Sequence, residues 1–141
     1  MENKQQIGTL ILRVALGVTF FIHGLVKFQG GIENTVGWFQ SIGIPGMMGY
    51  VVAIIELVGG IALIVGLGTK LISALLAVIL LVATVKVKLA VGFLGNGQMA
   101  GYEFDLALLV IALYLALNGS RMLSIDSIIF NKDEKSTSLK G

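Results

Sequence analysis

The chain contains no cysteine, a single proline and few charged residues. The missing cysteine excludes disulfides, thiolate metal sites and dithiol redox relays within this sequence. Only 13% of the 141 residues are charged, whereas an ordinary globular domain has about 25%. Because 56% of the residues are hydrophobic, the composition predicts an integral membrane protein. The net charge of +2 does not favour nucleic acid as a partner.

Glycine, by contrast, is abundant, with 19 residues where usual usage is about 7%. Glycine inside helices is destabilising in water. In lipid, small residues instead let neighbouring helices approach closely. The glycine content therefore favours tightly packed membrane helices.

Four hydrophobic stretches are candidates to cross a bilayer, which takes about 20 apolar residues in a helix. They are Ile7–Val26, Gly46–Val65, Leu71–Leu89 and Tyr102–Leu117. Arg13 interrupts the first stretch and no cleavage site follows it, so that stretch is interpreted as retained. A short helix on the membrane surface is predicted over Asn34–Ser41.

These spans predict an all-α fold, an integral membrane four-helix bundle formed by one domain over residues 1–130. Residues 131–141 form a polar tail that is predicted to be disordered and cytoplasmic. Lysine and arginine in the short connections set the orientation. The end with both termini has more of them, so a multi-pass protein of the cell membrane with both termini in the cytoplasm is expected.

Two charged residues lie inside the spans, where they must face protein or water. Arg13 lies about 9 Å above the cytoplasmic end of the first span, and Glu56 lies near the middle of the second. A guanidinium can neutralise a buried carboxylate. The sequence therefore predicts an Arg13–Glu56 pair, which fixes the register of the helices and can also serve function.

The remaining polar groups are predicted to line a water-accessible pocket near the outer face. They are His23 and Lys27 from the first span, Lys86 and Lys88 from the third, Glu103 and Asp105 from the fourth, with Trp38 and Phe39 as a lid. A flat, quinone-like ligand suits such a site, and His23 is the natural proton carrier. The plainer alternatives are that the lysines anchor the helix at the interface and that Glu103 and Asp105 pair with them. No metal site is expected.

Four segments carry a resemblance to a known family: Leu12–Phe28, Ile44–Lys70, Tyr102–Gly119 and Ser124–Ile129. They resemble the DoxX family of small bacterial membrane proteins. The resemblance implies a four-helix membrane bundle. Members are described as oxidoreductase-associated; some resemble the small subunit of a thiosulfate:quinone oxidoreductase. Others belong to catechol- or quinone-responsive systems of Gram-positive bacteria, and this chain is most similar to those.

Two functions stay open at this point. The first is a membrane oxidoreductase, or a subunit of one, linked to quinone and catechol compounds, their detoxification and the stress response. Its catalytic residues would be His23 and Lys27, and it would borrow a quinone, a bound cofactor or a partner subunit. The second is a non-catalytic scaffold or a transporter of protons or small solutes. The Gly59-Gly60 pair supports close helix contacts or a homo-oligomer.

Overall fold

The computed structural model describes residues 3–129, and their regular structure is helical apart from an isolated bridge between Gly95 and Ala100. The elements are α1 Asn3–Gln29, α2 Ile32–Ser41, α3 Met47–Val65, α4 Thr69–Ala83, a π-helical segment Thr84–Lys88, α5 Leu89–Val91 and α6 Tyr102–Asn118. The all-α prediction is confirmed. The predicted disordered tail lies outside the described residues.

Three continuous helical stretches are long and apolar enough to cross a membrane: Asn3–Gln29, Met47–Val65 and Thr69–Val91. Helix α6, with 17 residues, is about 26 Å long at a rise of 1.5 Å per residue. It packs along α4, and its end at Gly119 lies against the side chain of Lys70 at the start of α4. These helices form the predicted membrane four-helix bundle, with α2 packed against α3.

Helices α1 and α3 approach closely because glycines face each other. A Cβ atom added at Gly17 would lie 2.8 Å from the carbonyl oxygen of Gly60, and one added at Gly24 would lie 2.5 Å from the backbone nitrogen of Leu57. A Cβ at Gly60 would collide with the backbone of Phe21. Small residues thus fix how these two antiparallel helices pair.

The bundle has two polar ends with an apolar layer between them. The Arg13 end contains the start of α1, the end of α3, the start of α4 and the end of α6. The Lys27 end contains their opposite termini. Between them, the side chains of Leu16, Leu63, Leu76 and Leu115 are 0% exposed. The large exposed apolar side chains elsewhere on the helices suit contact with lipid.

The turn from α3 to α4 is built on two glycines in the left-handed region, Gly66 with φ 74° and Gly68 with φ 62°. Gly66 is needed here for space as well, because Ser124 lies where its Cβ would be. The segment after α6 therefore folds back over this turn. Residues 125–129 then form a last helical turn, and the Ser124 hydroxyl accepts a bond of 3.2 Å from the amide of Ser127.

The third span changes its helical hydrogen bonding near the Lys27 end. Over Thr84–Lys88 the helix is π-helical, and the amide of Leu89 donates to the carbonyl of Thr84, five residues earlier. The Thr84 hydroxyl also donates to the carbonyl of Leu80 at 2.8 Å, a contact known to bend helices. Short π-helical turns of this kind are frequent at functional sites.

Candidate functional site

A partly buried ion pair joins α1 to α3 at the Lys27 end of the bundle. Lys27 Nζ lies 2.8 Å from Glu56 Oε1. The side chain of Glu56 is 5% exposed and that of Lys27 is 25% exposed. Gly24 lies one turn before Lys27 and brings the two backbones together, so the lysine reaches the carboxylate. A buried carboxylate without such a partner would be costly.

The predicted Arg13–Glu56 pair is wrong, although both residues are buried. Glu56 bonds to Lys27, while Arg13 bonds near Ile64, about 12 Å further along α3 at 1.5 Å per residue. The prediction compared depths in the membrane but did not use the register of the two helices. In an antiparallel pair with Gly17 beside Gly60 and Gly24 beside Leu57, Lys27 comes opposite the turn that carries Glu56.

Arg13 is 1% exposed and is held by oxygens from other parts of the chain. Nη1 donates to Ser120 Oγ at 3.1 Å and to the carbonyl of Met122 at 2.9 Å. Nη2 donates to the carbonyls of Leu123 at 2.9 Å and of Ile64 at 3.4 Å. Because α3 and α6 both end here, their negative dipole ends also stabilise this cation. The Arg13 centre thus ties the segment after α6 to α1 and α3.

Asp126 is a polar residue of this end that the sequence did not predict as functional or structural. Its carboxylate accepts bonds from the amides of Gly68 at 2.7 Å and Thr69 at 3.0 Å. Its own amide donates to the carbonyl of Gly66 at 3.0 Å. Asp126 therefore caps α4 from the other end of the sequence. The only local sign was a helix beginning after Gly68, which has no side chain to cap it.

His23 lies on α1 one turn before Lys27, and its side chain is exposed. Its ring centroid is 6.3 Å from that of Phe20 and 6.5 Å from that of Phe104 on α6. The structure thus places the predicted proton carrier near two aromatic rings and one helical turn from the residue that holds Glu56. His23 and Lys27 share one side of α1, as their spacing predicted.

Of the other predicted pocket residues, one lysine lies near a carboxylate, and two charged residues are exposed. Lys88 Nζ donates to the carbonyl of Ala100 at 3.1 Å and lies 4.0 Å from Asp105 Oδ2. This contact agrees with the plainer alternative, in which Asp105 partners a lysine. Lys86 and Glu103 are exposed.

The predicted aromatic lid is not formed by two equivalent rings. Trp38 is exposed, whereas Phe39 is buried, and their centroids are 5.6 Å apart. Helix α2 packs mainly against α3, where a Cβ on Gly49 would touch Val36. Phe39 therefore belongs to the protein interior, and Trp38 is the ring free to meet the membrane interface.

A shallow groove of about 420 Å³ lies at the opposite end, lined by Val65, Leu123, Ser124, Ile125, Ser127 and Ile128. It is open to the surface and mostly apolar, and none of the predicted site residues lines it. Within residues 3–129, no three His, Asp or Glu side chains are grouped so that they could hold a metal ion. The polar chemistry of the described chain is thus concentrated at Lys27, Glu56 and His23 on one end and Arg13 on the other.

Comparison with known proteins supports a membrane protein. The model of the family described as DoxX matches residues 8–89. "Putative oxidoreductase CatD" of Bacillus subtilis is 47% identical over 130 residues, which cover 92% of each chain. "Inner membrane protein YqjF" of Escherichia coli is 29% identical over 70 residues, 50% of this chain and 53% of that protein. An uncharacterized Haemophilus influenzae protein is 29% identical over 137 residues, 94% of this chain and 98% of that protein. No solved structure matches.

Proposed function

Since the chain belongs to the DoxX family, a family of membrane proteins, we propose that it is a membrane oxidoreductase, or the membrane subunit of one, that acts on quinone or catechol compounds and serves their detoxification. The observation that carries this proposal is the Lys27–Glu56 pair beside His23. The name of the Bacillus subtilis relative, an oxidoreductase, supports the same class of activity.

The reaction would move two electrons and two protons between a quinone and a hydroquinone or catechol. The chain has no cysteine to carry electrons. A second quinone–quinol couple or a partner subunit would therefore supply the electron pair when the substrate is reduced and take it up when the substrate is oxidised. The contribution of this chain would be binding and proton transfer. Lys27 has N–H donors beyond the one given to Glu56, and one of them can donate to a quinone oxygen.

His23 would supply or accept the proton at that oxygen, because an imidazole has one nitrogen that donates and one that accepts. The exposed ring of Phe104, which lies 6.5 Å from that of His23, would offer an apolar wall for a flat ligand. Glu56 would hold the ammonium group of Lys27 in position. Trp38, Phe39, Lys86, Glu103 and Asp105 stay proposed boundary residues of the same site, with Asp105 acting through Lys88.

The site would open on the outer half of the cell membrane if both termini are cytoplasmic. That orientation is part of the proposal, and it is supported by the lysines and arginines at the Arg13 end, which include Lys4, Lys70 and Arg121. Quinones carried in the bilayer would reach His23 at that depth. The bilayer itself, an oxidoreductase partner subunit and a second copy of the chain are the proposed partners.

The test is ligand binding by the purified chain in lipid nanodiscs, measured by fluorescence quenching or calorimetry. A menaquinone analogue and a catechol are the two probes. His23→Ala and Lys27→Met are expected to weaken binding by about tenfold each, as loss of a charge-assisted hydrogen bond does. Lys70→Met is the control, because this exposed lysine lies at the other end of the bundle. An absence of binding at saturating probe, or equal losses in all three variants, would count against the proposal.

A non-catalytic scaffold is the second candidate, and the glycine packing favours it. Gly60 contacts α1 and Gly59 approaches Ile72 of α4, so both glycines already serve packing inside the bundle. Passage of a solute or proton is less favoured, since leucines with 0% exposure separate the two polar ends. Proteoliposomes that move protons down a gradient, yet bind neither probe, would instead support a transporter.

A further inference from the structure

Three buried polar atoms at the Arg13 end have no hydrogen-bond partner among the described residues. They are Arg13 Nε, Thr69 Oγ1 and Ser73 Oγ. The three residues are 1%, 1% and 0% exposed. Leaving such groups without partners in a low-dielectric interior is unfavourable, and buried polar groups are rarely left so. Each of them therefore calls for a partner that residues 3–129 do not supply.

The three atoms belong to one end of the bundle. Arg13 Nη1 lies 2.9 Å from where a Cβ of Gly66 would be, and Gly66 is three residues before Thr69. Ser73 follows Thr69 by one helical turn, so the two hydroxyls lie on the same face of α4, the face that Leu76 and Leu80 continue into the core. The guanidinium and the two hydroxyls are thus all buried at the same end of the bundle, near the turn between α3 and α4.

We propose that Arg13, Thr69 and Ser73 bind a buried water molecule that links α1 to α4. The chemistry fits water better than a charged ligand. Arg13 Nε–H is a donor, whereas each hydroxyl can both donate and accept, and a buried water typically makes about three hydrogen bonds. Asp126 already places a carboxylate beside this end, which disfavours a second anion.

Whether removal of a hydroxyl group stabilises or destabilises the protein tests this site. If the hydroxyls had no partner, Ser73→Ala and Thr69→Val would remove an unfavourable buried group and would stabilise the protein. If they hold a water, each substitution is expected to raise the unfolding equilibrium constant by about 5- to 30-fold. The double variant should cost less than the two single costs combined, because both hydroxyls bind the same molecule.

Thr84→Val is the control, since the Thr84 hydroxyl already bonds within its own helix. A change of opposite sign, with Ser73→Ala and Thr69→Val more stable than the parent, overturns the proposal. A stability that rises with chloride concentration also overturns it, because the ligand would then be an anion.

A second measurement does not depend on the variants. The sequence has two arginines, Arg13 and Arg121, so Arg121→Lys leaves one arginine to observe. With nitrogen-15 arginine in lipid bilayers, water-edited solid-state NMR should show magnetisation passing from water to Arg13 Nε–H. The signal should weaken in Ser73→Ala. Its absence in the Arg121→Lys protein overturns the water site even if the other variants do not fold.

Discussion

The two ends of the bundle bury a cation in different ways. At one end, the charge of Arg13 is shared among four oxygens, three of them backbone carbonyls. At the other, Lys27 gives one bond to one carboxylate and stays 25% exposed. A guanidinium with fixed donors suits the first arrangement, and an ammonium with rotatable donors suits the second. The first holds segments together, while the second leaves donors available for a ligand.

The largest effect is expected from Arg13→Met. The change leaves several buried acceptors without a donor, so the free energy of unfolding should fall by about 3 kcal/mol or more. Unfolding in mixed micelles titrated with SDS measures it. Arg121→Met, at an exposed site, should change stability by at most about 0.5 kcal/mol. Equal stabilities of the two variants would show that the Arg13 centre does not hold the fold.

Glu56→Leu should have a smaller effect, about 1–2 kcal/mol, because the partly exposed Lys27 can turn towards water. The double variant with Lys27→Met should recover part of the loss, since neither charge then lacks its partner. A double-mutant cycle in the same SDS titration gives the coupling energy. If the stability losses of Glu56→Leu and Lys27→Met simply added in the double variant, the result would contradict a direct ion pair.

Asp126→Ala should cost about 1 kcal/mol, the usual value of a helix cap. Its effect should be local, because the carboxylate bonds the amides of Gly68 and Thr69. Hydrogen exchange should become faster at those amides and over residues 120–129, but not near Lys27. Ile129→Ala, at an exposed position, is the control. Unchanged exchange at Gly68 would rule out the cap.

The smallest effect is expected from Asp105→Asn. The carboxylate lies 4.0 Å from Lys88 Nζ, and pairs of this kind contribute about 0.5 kcal/mol. The effect should shrink further at 1 M salt, where the Debye length falls to about 3 Å. A loss as large as that of Glu56→Leu would mean that the Lys27 end contains a second buried pair.

The sequence predicted the helices well, because apolar length and the glycines at the turns are local signals. The predicted second span ends at Val65, where α3 ends, and the predicted fourth begins at Tyr102 with α6. It also predicted that Arg13 and Glu56 turn inward, since lipid excludes charge. The partners of Arg13 and Glu56 could not be predicted from local sequence, because they depend on how α1 and α3 are shifted along each other.

The glycines of α1 and α3 are the sequence feature from which the Lys27–Glu56 pair could have been predicted. Gly17 and Gly24 on α1, matched with Gly60 on α3, would have fixed the register and placed Lys27 near Glu56. The cap of α4 could not be found in this way. Asp126 is 57 residues from Thr69 in sequence. No pattern in the intervening sequence indicates that the segment after α6 folds back over the turn between α3 and α4.

The π-helical segment Thr84–Lys88 has a practical consequence for the length of the third span. Such a segment acts as one additional residue within an otherwise regular helix. Deleting a residue elsewhere in α4 would turn everything beyond it by about 100°, from 3.6 residues per turn. Deleting Val85 would instead let the helix close into regular α geometry and leave Lys88 pointing towards Ala100. The third span can thus be shortened by one residue here and keep its two faces.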